Sequence, residues 1–364
     1  MRAMVLRDKK LTIEEVNRPS PGPGQVLVKV RACGICGSDL HAAKYLDAMI
    51  SASRRSRRSA WDTLDTKQAI VMGHEFVADV VEVGAGVDGW EPGARVTSVP
   101  LLLAPDRPNG FLSIGYSPET PGAYSEYLLL SASLLLRVPD NVSDRLAATT
   151  EPCAVGLHAV RQARMQPNEH AVVMGAGPIG LMTLLWLKAE GAAFVAVSDP
   201  SPERRALASK LGADRVFNPK EVDLAEELSK ALFHPSPRHP EDLSYGGGPV
   251  DAAPDVVFEC VGVPGTLQQA IELVQVKGRV VVVGVCMEED HIRPLMGINK
   301  QLTLQFVLGY TAPEYAEALQ SFADGKIDTS PLVTRTVSLD ELPATFSALA
   351  DPRDCKVLVV PGKR

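Results

Sequence analysis

The stretch AVVMGAGPIGLMTLLWLKAEG, residues 171–191, decides the class of fold to which this chain belongs. Four apolar residues precede three glycines spaced as G-x-G-x-x-G (Gly175, Gly177, Gly180), and an apolar helical run follows. The first glycine permits a tight turn, the second lets a pyrophosphate approach the backbone, and the third lets the helix pack closely on the strand. The stretch therefore predicts a strand, a glycine turn and a helix whose first N–H groups face phosphate.

A carboxylate after the next strand supports a dinucleotide site. The run FVAVSD (194–199) ends in Asp199, at the spacing where a carboxylate accepts hydrogen bonds from the adenosine ribose. Its charge would repel a 2′-phosphate, so we predict NAD rather than NADP. Arg204 either packs over the adenine or is solvated, and the alternative for the whole stretch is a strand, turn and helix without a ligand. The predicted cofactor-binding residues here are Gly175, Gly177, Pro178, Ile179, Gly180, Asp199 and Arg204.

The sequence before residue 151 and the sequence after it have different residue patterns. In the first third, β-branched runs such as QVLVKVRAC (25–33) are punctuated by proline and glycine, which is an all-β pattern. From Glu151, helices alternate with strands that are apolar on both faces, which predicts a parallel sheet covered by helices. We therefore expect an α/β chain with a β-rich domain over 1–154, an inserted Rossmann domain over 155–295, and a return to the first domain over 296–364.

Composition argues against several classes of function. The chain is 45% hydrophobic and 22% charged, without an apolar run near the roughly 18 residues that a membrane span needs. The start MRAMVLRDKK turns charged before a signal peptide could form, so we expect a cytoplasmic protein with no membrane association. The net charge of −7 argues against nucleic-acid binding. Six scattered cysteines suggest free thiols or metal ligands rather than disulfides.

The stretch CGICGSDLH (33–41) carries the second chemical signal. A redox pair would need a thioredoxin-like βαβ setting, and a structural zinc knuckle would need a second cysteine pair. The sequence instead offers GHEF (73–76) and EPCAVGLH (151–158). A catalytic zinc takes three protein ligands of mixed type and leaves a fourth position open, which Cys36, His74 and Glu151 satisfy.

With these motifs, the chain resembles the zinc-dependent medium-chain dehydrogenases, the superfamily of alcohol, sorbitol and threonine dehydrogenases. The resemblance runs nearly end to end and implies a GroES-like catalytic domain, formed by both chain ends, around a Rossmann domain. By position it makes Cys36 and His74 zinc ligands, Glu151 the third ligand, and Glu75 a carboxylate that replaces Glu151 or a water. It makes Cys33 a structural thiol. The motifs, in the family's order, are CGICGSDLH, GHEF, EPCAVGLHAV, GAGPIG, DVVFECVG and KGRVVVVG.

The resemblance also assigns roles around the metal. Ser38 starts a proton relay that passes through the nicotinamide ribose to His41, and Asp39 orients the imidazole of His74. The alternatives are that Ser38 is a turn residue, His41 a surface residue and Asp39 a helix cap. Cys153 is more simply a small buried residue than a ligand. Lys356 falls where the family often has a basic residue that reaches the cofactor phosphates.

The chain departs from the family at two places. No cysteine lies between Ala94 and Tyr127, where many members hold a structural zinc, so we predict one catalytic zinc per subunit and no structural zinc. Residues 44–67 lengthen the gap between Cys36 and His74, and a second long loop is expected over 233–253. The arginines of SRRSRRS (53–59) are either solvated or steer an anionic substrate; they are Arg54, Arg55, Arg57 and Arg58.

We therefore predict a zinc-dependent oxidoreductase that transfers a hydride between an alcohol or polyol and NAD, giving the aldehyde or ketone. The alternatives are a zinc-free quinone or enoyl reductase of the same superfamily and a non-catalytic NAD-binding protein. Cys36 together with His74 argues against the reductase, and the set of Cys36, Ser38, His74 and Glu151 argues against the non-catalytic protein. The apolar run QLTLQFVLGY (301–310) lies where family members pair Rossmann sheets, so a homodimer or homotetramer is expected.

Overall fold

The computed structural model describes residues 1–56, 68–232, 253–349 and 353–363. The chain divides into two compact units. The split unit consists of Met1–Pro152 and Ala312–Arg364, and the inserted unit is Cys153–Thr311. Within the described residues, every helix is too short or too polar to cross a membrane.

The strands and helices of the described residues follow in chain order. The strands are β1 (Arg2–Arg7), β2 (Lys10–Glu15), β3 (Gln25–Gly34), β4 (Ile70–Val71), β5 (Glu75–Val83), β6 (Arg95–Ser98), β7 (Leu101–Leu103), β8 (Phe111–Ser113), β9 (Tyr127–Ser131), β10 (Leu135–Arg137), β11 (His170–Met174), β12 (Phe194–Ser198), β13 (Arg215–Phe217), β14 (Val256–Glu259), β15 (Arg279–Val282), β16 (Thr303–Phe306), β17 (Val333–Ser338) and β18 (Lys356–Val360). The helices are α1 (Gly37–Ser56), α2 (Asp144–Ala147), α3 (Thr150–Gln162), α4 (Pro178–Ala189), α5 (Pro202–Lys210), α6 (Leu224–Ala231), α7 (Thr266–Leu273), α8 (Pro294–Lys300), α9 (Ala312–Ala323) and α10 (Leu342–Ala348). In the same part of the chain, 3-10 turns lie at Ala132–Leu134 and Ser330–Leu332.

The inserted unit is built on a six-stranded parallel sheet in the order β13-β12-β11-β14-β15-β16. In sequence order this is 3-2-1-4-5-6, the arrangement of dinucleotide-binding folds. The central strands β11 and β14 bury nearly all their side chains, as strands of a parallel sheet do when both faces are covered. The parallel sheet predicted from the alternating pattern is therefore observed.

The split unit is dominated by a seven-stranded sheet with the path β10-β6-β5-β3-β18-β17, in which β9 also pairs with β3. Strand β3 pairs antiparallel with β5, β9 and β18, so the C-terminal segment returns to the first domain as expected. The register of β3 and β5 sets Cys33 opposite Phe76 and Gly34 opposite Glu75. This register brings the end of β3 beside the start of β5.

The second junction between the units differs from the predicted position. It lies between Thr311 and Ala312, not between residues 295 and 296. The reason is that the inserted sheet continues past residue 296, because β16 pairs in parallel with β15 as the sixth strand. The first junction, after Pro152, lies close to the predicted residue 154.

The loop predicted over residues 44–67 is wrong for its first part, which continues helix α1 to Ser56 with a kink at Tyr45. Buried residues at helical spacing explain the helix; they are Ala42, Leu46, Met49, Ile50 and Ser53. Arg54 and Arg55 are exposed on its last turn, whereas Arg57 and Arg58 lie outside the described residues. The long loop predicted over 233–253 also falls almost wholly outside them.

Candidate metal centre and nucleotide site

Strand register in the split unit brings three potential metal ligands together. Cys36 follows β3 and His74 immediately precedes β5, whose first residue is Glu75. One ligand atom from each residue lies within 4.8 Å of the others. Gly73 makes the approach possible, since it has φ +95° and a Cβ there would lie 2.7 Å from the backbone N of Tyr124.

This donor set fits zinc. A thiolate, an imidazole and a carboxylate are the ligands that zinc takes in proteins, and three of them leave a fourth position for substrate. His74 and Glu75 are buried, and Cys36 is partly exposed, as an open coordination position requires. Among the described residues, Cys36, His74 and Glu75 form the one group of this kind.

Asp39 lies within ion-pair distance of the imidazole of His74. Its Oδ1 lies 3.4 Å from His74 Nδ1, which leaves Nε2 as the nitrogen for the metal. Oδ2 accepts hydrogen bonds from the Tyr124 hydroxyl at 2.6 Å and from the Cys36 N–H at 3.2 Å. Burial alone would raise the pKa of Asp39, but the charge of His74 and these hydrogen bonds lower it overall. Burial alone would lower the pKa of His74, but Asp39 and Cys36 raise it well above its ordinary value of 6.5.

Lys356 is paired with Glu75, a contact that the sequence did not predict, and the predicted contact of Lys356 with cofactor phosphates stays a prediction. Its Nζ donates to both carboxylate oxygens of Glu75, at 2.7 and 2.8 Å, and to the carbonyl of Ile35 at 2.9 Å. The side chains of Lys356 and Glu75 are 2% and 0% exposed. The ammonium of Lys356 therefore neutralises the charge that Glu75 brings to the centre.

Glu151, the predicted third ligand, is not part of the three-residue group in the described structure. It lies in the first turn of α3 and is buried. Its charge contributes to raising the pKa of Lys356. The group that the geometry brings together has Glu75 in the third position, and a zinc-binding role for Glu151 stays a prediction.

Cys33 and Cys153, which lie close to predicted ligands in the sequence, are both buried. Cys33 donates its thiol to the carbonyl of Gly34 at 3.4 Å, and burial raises its pKa. Cys153 belongs to the inserted unit, where Trp186 Nε1 lies 3.3 Å from its Sγ. Burial raises the pKa of Cys153 to about 12. Neither thiol is among the three grouped ligands.

Ser38 and His41 lie on the first turns of α1. The Ser38 hydroxyl donates to Cys36 Sγ at 3.1 Å and accepts from the Tyr116 hydroxyl at 2.7 Å. Nδ1 of His41 is buried with no hydrogen-bond partner among the described residues. Burial, and then the charge of Lys44, lower the pKa of His41, so its imidazole is neutral at neutral pH. An unpartnered, neutral imidazole is suited to receive a proton.

Tyr116 and Tyr124 are site residues that sequence reasoning missed. Both phenols are buried. The Tyr124 hydroxyl donates to Asp39, whereas the Tyr116 hydroxyl donates to Ser38 and lies 3.1 Å from Asp39 Oδ1. They come from GYSPETPGAY (115–124), a segment without a recognisable motif. The available signal was two large aromatic residues in a stretch otherwise rich in glycine, proline and small polar residues, because a phenol in such a stretch often has a buried partner.

The glycine turn of the inserted unit has the predicted form. Gly175 has φ +92°, and Gly177 caps helix α4, which begins at Pro178. A Cβ at Gly180 would lie 1.9 Å from the carbonyl oxygen of Gly175, so only glycine fits there. A Cβ at Gly177 would meet no neighbouring atom of the described residues within 4 Å, which is the open approach that a pyrophosphate needs.

Asp199 is held against this turn. Its Oδ2 accepts the Ala176 N–H at 2.9 Å and its Oδ1 accepts the Ser201 N–H at 2.8 Å. The carboxylate is 5% exposed. Arg204, on the first turn of α5, has a buried Nε with no hydrogen-bond partner among the described residues. The fit to a dinucleotide is therefore made by the turn, the carboxylate and an unpartnered guanidinium nitrogen.

Comparison with known proteins identifies the family. The model of the alcohol dehydrogenase GroES-like domain matches residues 22–140, and that of the zinc-binding dehydrogenases matches residues 178–324. (R,R)-butanediol dehydrogenase of Bacillus subtilis (strain 168) is 34% identical over 97% of this chain and 97% of its own. Sorbitol dehydrogenase of the same strain is 30% identical over 100% and 98%. A solved structure from Sinorhizobium meliloti 1021, bound to NADP, is 28% identical with a TM-score of 0.81 over 99% of both chains. The predicted fold class is confirmed, and the chain belongs to the zinc-binding dehydrogenases with a GroES-like catalytic domain.

Proposed function

We propose that this protein oxidises an alcohol or polyol reversibly, with NAD as the hydride acceptor and one catalytic zinc per subunit. The observation that carries the proposal is the group of a thiol, an imidazole and a carboxylate whose ligand atoms lie within 4.8 Å of one another. The Ser38 hydroxyl donates a hydrogen bond to the sulfur of that group. The names of two relatives, a butanediol and a sorbitol dehydrogenase, support a substrate with vicinal hydroxyl groups.

The residues of the chain divide the chemistry as follows. Cys36, His74 and a carboxylate would hold zinc, which when bound polarises the alcohol and stabilises its alkoxide while the nicotinamide accepts the hydride. Asp39 keeps the imidazole of His74 oriented. Ser38 receives the proton of the substrate hydroxyl as it releases its own. His41, which is neutral and has no partner for Nδ1 among the described residues, is the residue that takes the released proton onward.

The preference for NAD rests on Asp199. Since one relative is bound to NADP, membership of the family does not set the preference. A buried carboxylate that the turn fixes at 2.8 and 2.9 Å would accept hydrogen bonds from the ribose and repel a 2′-phosphate. We expect Asp199→Ala to lower the ratio of kcat/KM with NAD to kcat/KM with NADP by about tenfold or more. Glu203→Gln, a neighbouring carboxylate in α5, is the matched control, and an unchanged ratio in Asp199→Ala would contradict the assignment.

The experiment that tests the function is zinc content on protein purified without added metal, paired with NADH formation across diols, sugar alcohols, simple alcohols and hydroxy acids. We expect one zinc per chain and turnover that is lost with zinc and regained with it. Two zinc ions per chain would contradict the single-site proposal. Enoyl or quinone reduction without zinc would favour the zinc-free reductase, and NADH binding without any turnover would favour a non-catalytic protein.

We also propose a homodimer or homotetramer that forms through the edge of the inserted sheet. Strand β16 is the last strand on that side, and Phe306 and Leu308 are 66% and 90% exposed. An apolar sheet edge of this kind is a pairing surface unless it is covered. Light scattering should report an oligomer for the native chain and a smaller species for Phe306→Lys. A native monomer would contradict the proposal.

A further inference from the structure

We propose that Tyr116 is a positioning residue for the alcohol reaction: its phenol fixes the Ser38 hydroxyl in the orientation that receives the substrate proton. This inference rests on the proposed function. Tyr116 belongs to none of the motifs that identify the family, and it reaches the site from the segment after β8, 78 residues along the chain from Ser38.

The position of Tyr116 is set by its neighbours in the split unit. It follows Gly115, which has φ +86° and packs so closely on Gly73 that a Cβ would lie 3.0 Å from the Gly73 carbonyl oxygen. The ring of Tyr116 lies beside that of His74, with centroids 5.4 Å apart and planes inclined by 40°. Tyr116 is 7% exposed. The phenol is thus held against the residues that carry the metal site.

The phenol limits the directions in which the Ser38 oxygen can accept a further hydrogen bond. A hydroxyl has one proton to donate and two lone pairs to accept with. The Ser38 proton points to Cys36 Sγ at 3.1 Å, and the Tyr116 hydroxyl takes one lone pair at 2.7 Å. One lone pair is left, so the oxygen has a single direction in which to accept the hydroxyl of a substrate. Without Tyr116, Ser38 would keep one weak bond to sulfur and could turn about χ1.

Asp39 also lies near the phenol, at 3.1 Å from its oxygen, yet it depends on Tyr116 less than Ser38 does. Its carboxylate retains the Tyr124 hydroxyl, the Cys36 N–H and the His74 imidazole when the Tyr116 hydroxyl is removed. Ser38 retains no other donor to its oxygen among the hydrogen bonds of the described residues. Loss of the phenol hydroxyl should therefore act on Ser38 first.

Tyr116→Phe tests this role, because it removes the hydroxyl and leaves the ring on His74. We expect kcat for the best alcohol to fall about tenfold, the effect of one positioning hydrogen bond, while KM changes less than about twofold. In a Ser38→Ala background the same change should have no further effect, since its target is gone. Tyr124→Phe, a phenol that donates to Asp39 but not to Ser38, is the matched control, and its effect should multiply with that of Ser38→Ala.

A second measurement does not depend on turnover. In a crystal structure of zinc-loaded Tyr116→Phe, Ser38 should occupy more than one rotamer, and zinc content should equal that of the native protein. An unchanged Ser38 rotamer with unchanged kcat would overturn the inference, and so would loss of zinc, which would show that the phenol supports His74 instead. A native enzyme without alcohol oxidation would defeat the proposed function, while the rotamer of Ser38 would still decide the role of Tyr116.

Discussion

His74 holds a proton more tightly in the metal-free protein than a histidine does in water, because Asp39 and Cys36 raise its pKa against the effect of burial. The protonated form therefore stabilises the metal-free fold fully below pH 6.5, and this contribution is lost as the pH rises through the raised pKa. Zinc must displace that proton before it binds. The same residue thus couples acidity to metal affinity.

We predict that zinc affinity continues to increase with pH above 6.5, the ordinary pKa of histidine. Asp39→Asn removes the charge that raises the His74 pKa, so its affinity should level off at lower pH. Competition with a chelator across a pH series that brackets this value measures the effect. Asp255→Asn, which alters an aspartate 3.8 Å from His170 in the inserted unit, is the control and should leave the profile unchanged. Identical profiles for Asp39→Asn and the native protein would contradict the prediction.

The buried pair of Lys356 and Glu75 should respond asymmetrically to substitution. Removing one partner leaves an unpaired charge in a site less than 3% exposed, which typically costs about 3–5 kcal/mol in the free energy of unfolding. Lys356→Met should therefore destabilise the metal-free protein strongly, and Glu75→Gln added to it should recover part of the loss. Urea unfolding measures both variants. A double variant less stable than Lys356→Met would show that the pair is not an isolated unit.

At the residue scale, the sequence was sufficient to predict site residues that lie in short motifs. It was insufficient to predict contacts between residues far apart in the chain. Cys36, Ser38 and His74 were found because they sit in short motifs. The Lys356 contact was missed because its partner lies 281 residues away, and pairing of that kind is fixed by the sheet and not by any local pattern. Tyr116 was missed for the same reason.

The elements around the glycine turn were predicted correctly because local rules decide them. Strand β11, the turn and helix α4 follow from apolar runs and from glycines whose positions allow no side chain or need open space. The length of helix α1 was underestimated because the charged residues of its C-terminal part obscured the pattern of buried residues at helical spacing. Strand β16 was placed in the wrong unit because a short apolar run does not show which sheet it joins.

Two glycines of the turn should separate folding from binding. Gly180→Ala places a Cβ 1.9 Å from a backbone oxygen that cannot move, so we expect a loss of about 3 kcal/mol in stability or failure to fold. Gly177→Ala places its Cβ in open space and should keep the native melting temperature. It should weaken NADH binding about tenfold or more, because the methyl group occupies the approach to the pyrophosphate. Thermal unfolding and an NADH titration make the comparison, and equal melting temperatures for the two variants would refute it.

The whole molecule assigns its two cofactor sites to different units. The three grouped metal ligands belong to the split unit, and the glycine turn with Asp199 belongs to the inserted unit. Because the two sites share no residues, removing the metal should abolish alcohol oxidation and leave NADH binding within about twofold of the native value. A chelator-treated sample titrated with NADH tests this. A large loss of NADH affinity would show that the two sites are coupled.

At this scale the sequence predicted a β-rich domain completed by both chain ends around a parallel α/β domain, and the structure has that organisation. Periodicity and motif order were enough for it, since each domain has a distinct texture. The second junction, after Thr311, was predicted at residue 296 because the last parallel strand and the following helix α9 carry no break in composition.

The register of β3 and β5 has a consequence for insertions and deletions. Cys36 and His74 lie beside each other because the strand ends that carry them are hydrogen bonded, with Gly34 opposite Glu75. The distance between the two ligands is therefore set by strand pairing and not by the length of the chain that connects them. Doubling the length of a flexible connection adds only about 0.6 kcal/mol of closure entropy. The length of the connection between Cys36 and His74 can thus change, during evolution or by design, while the distance between the two ligands stays the same.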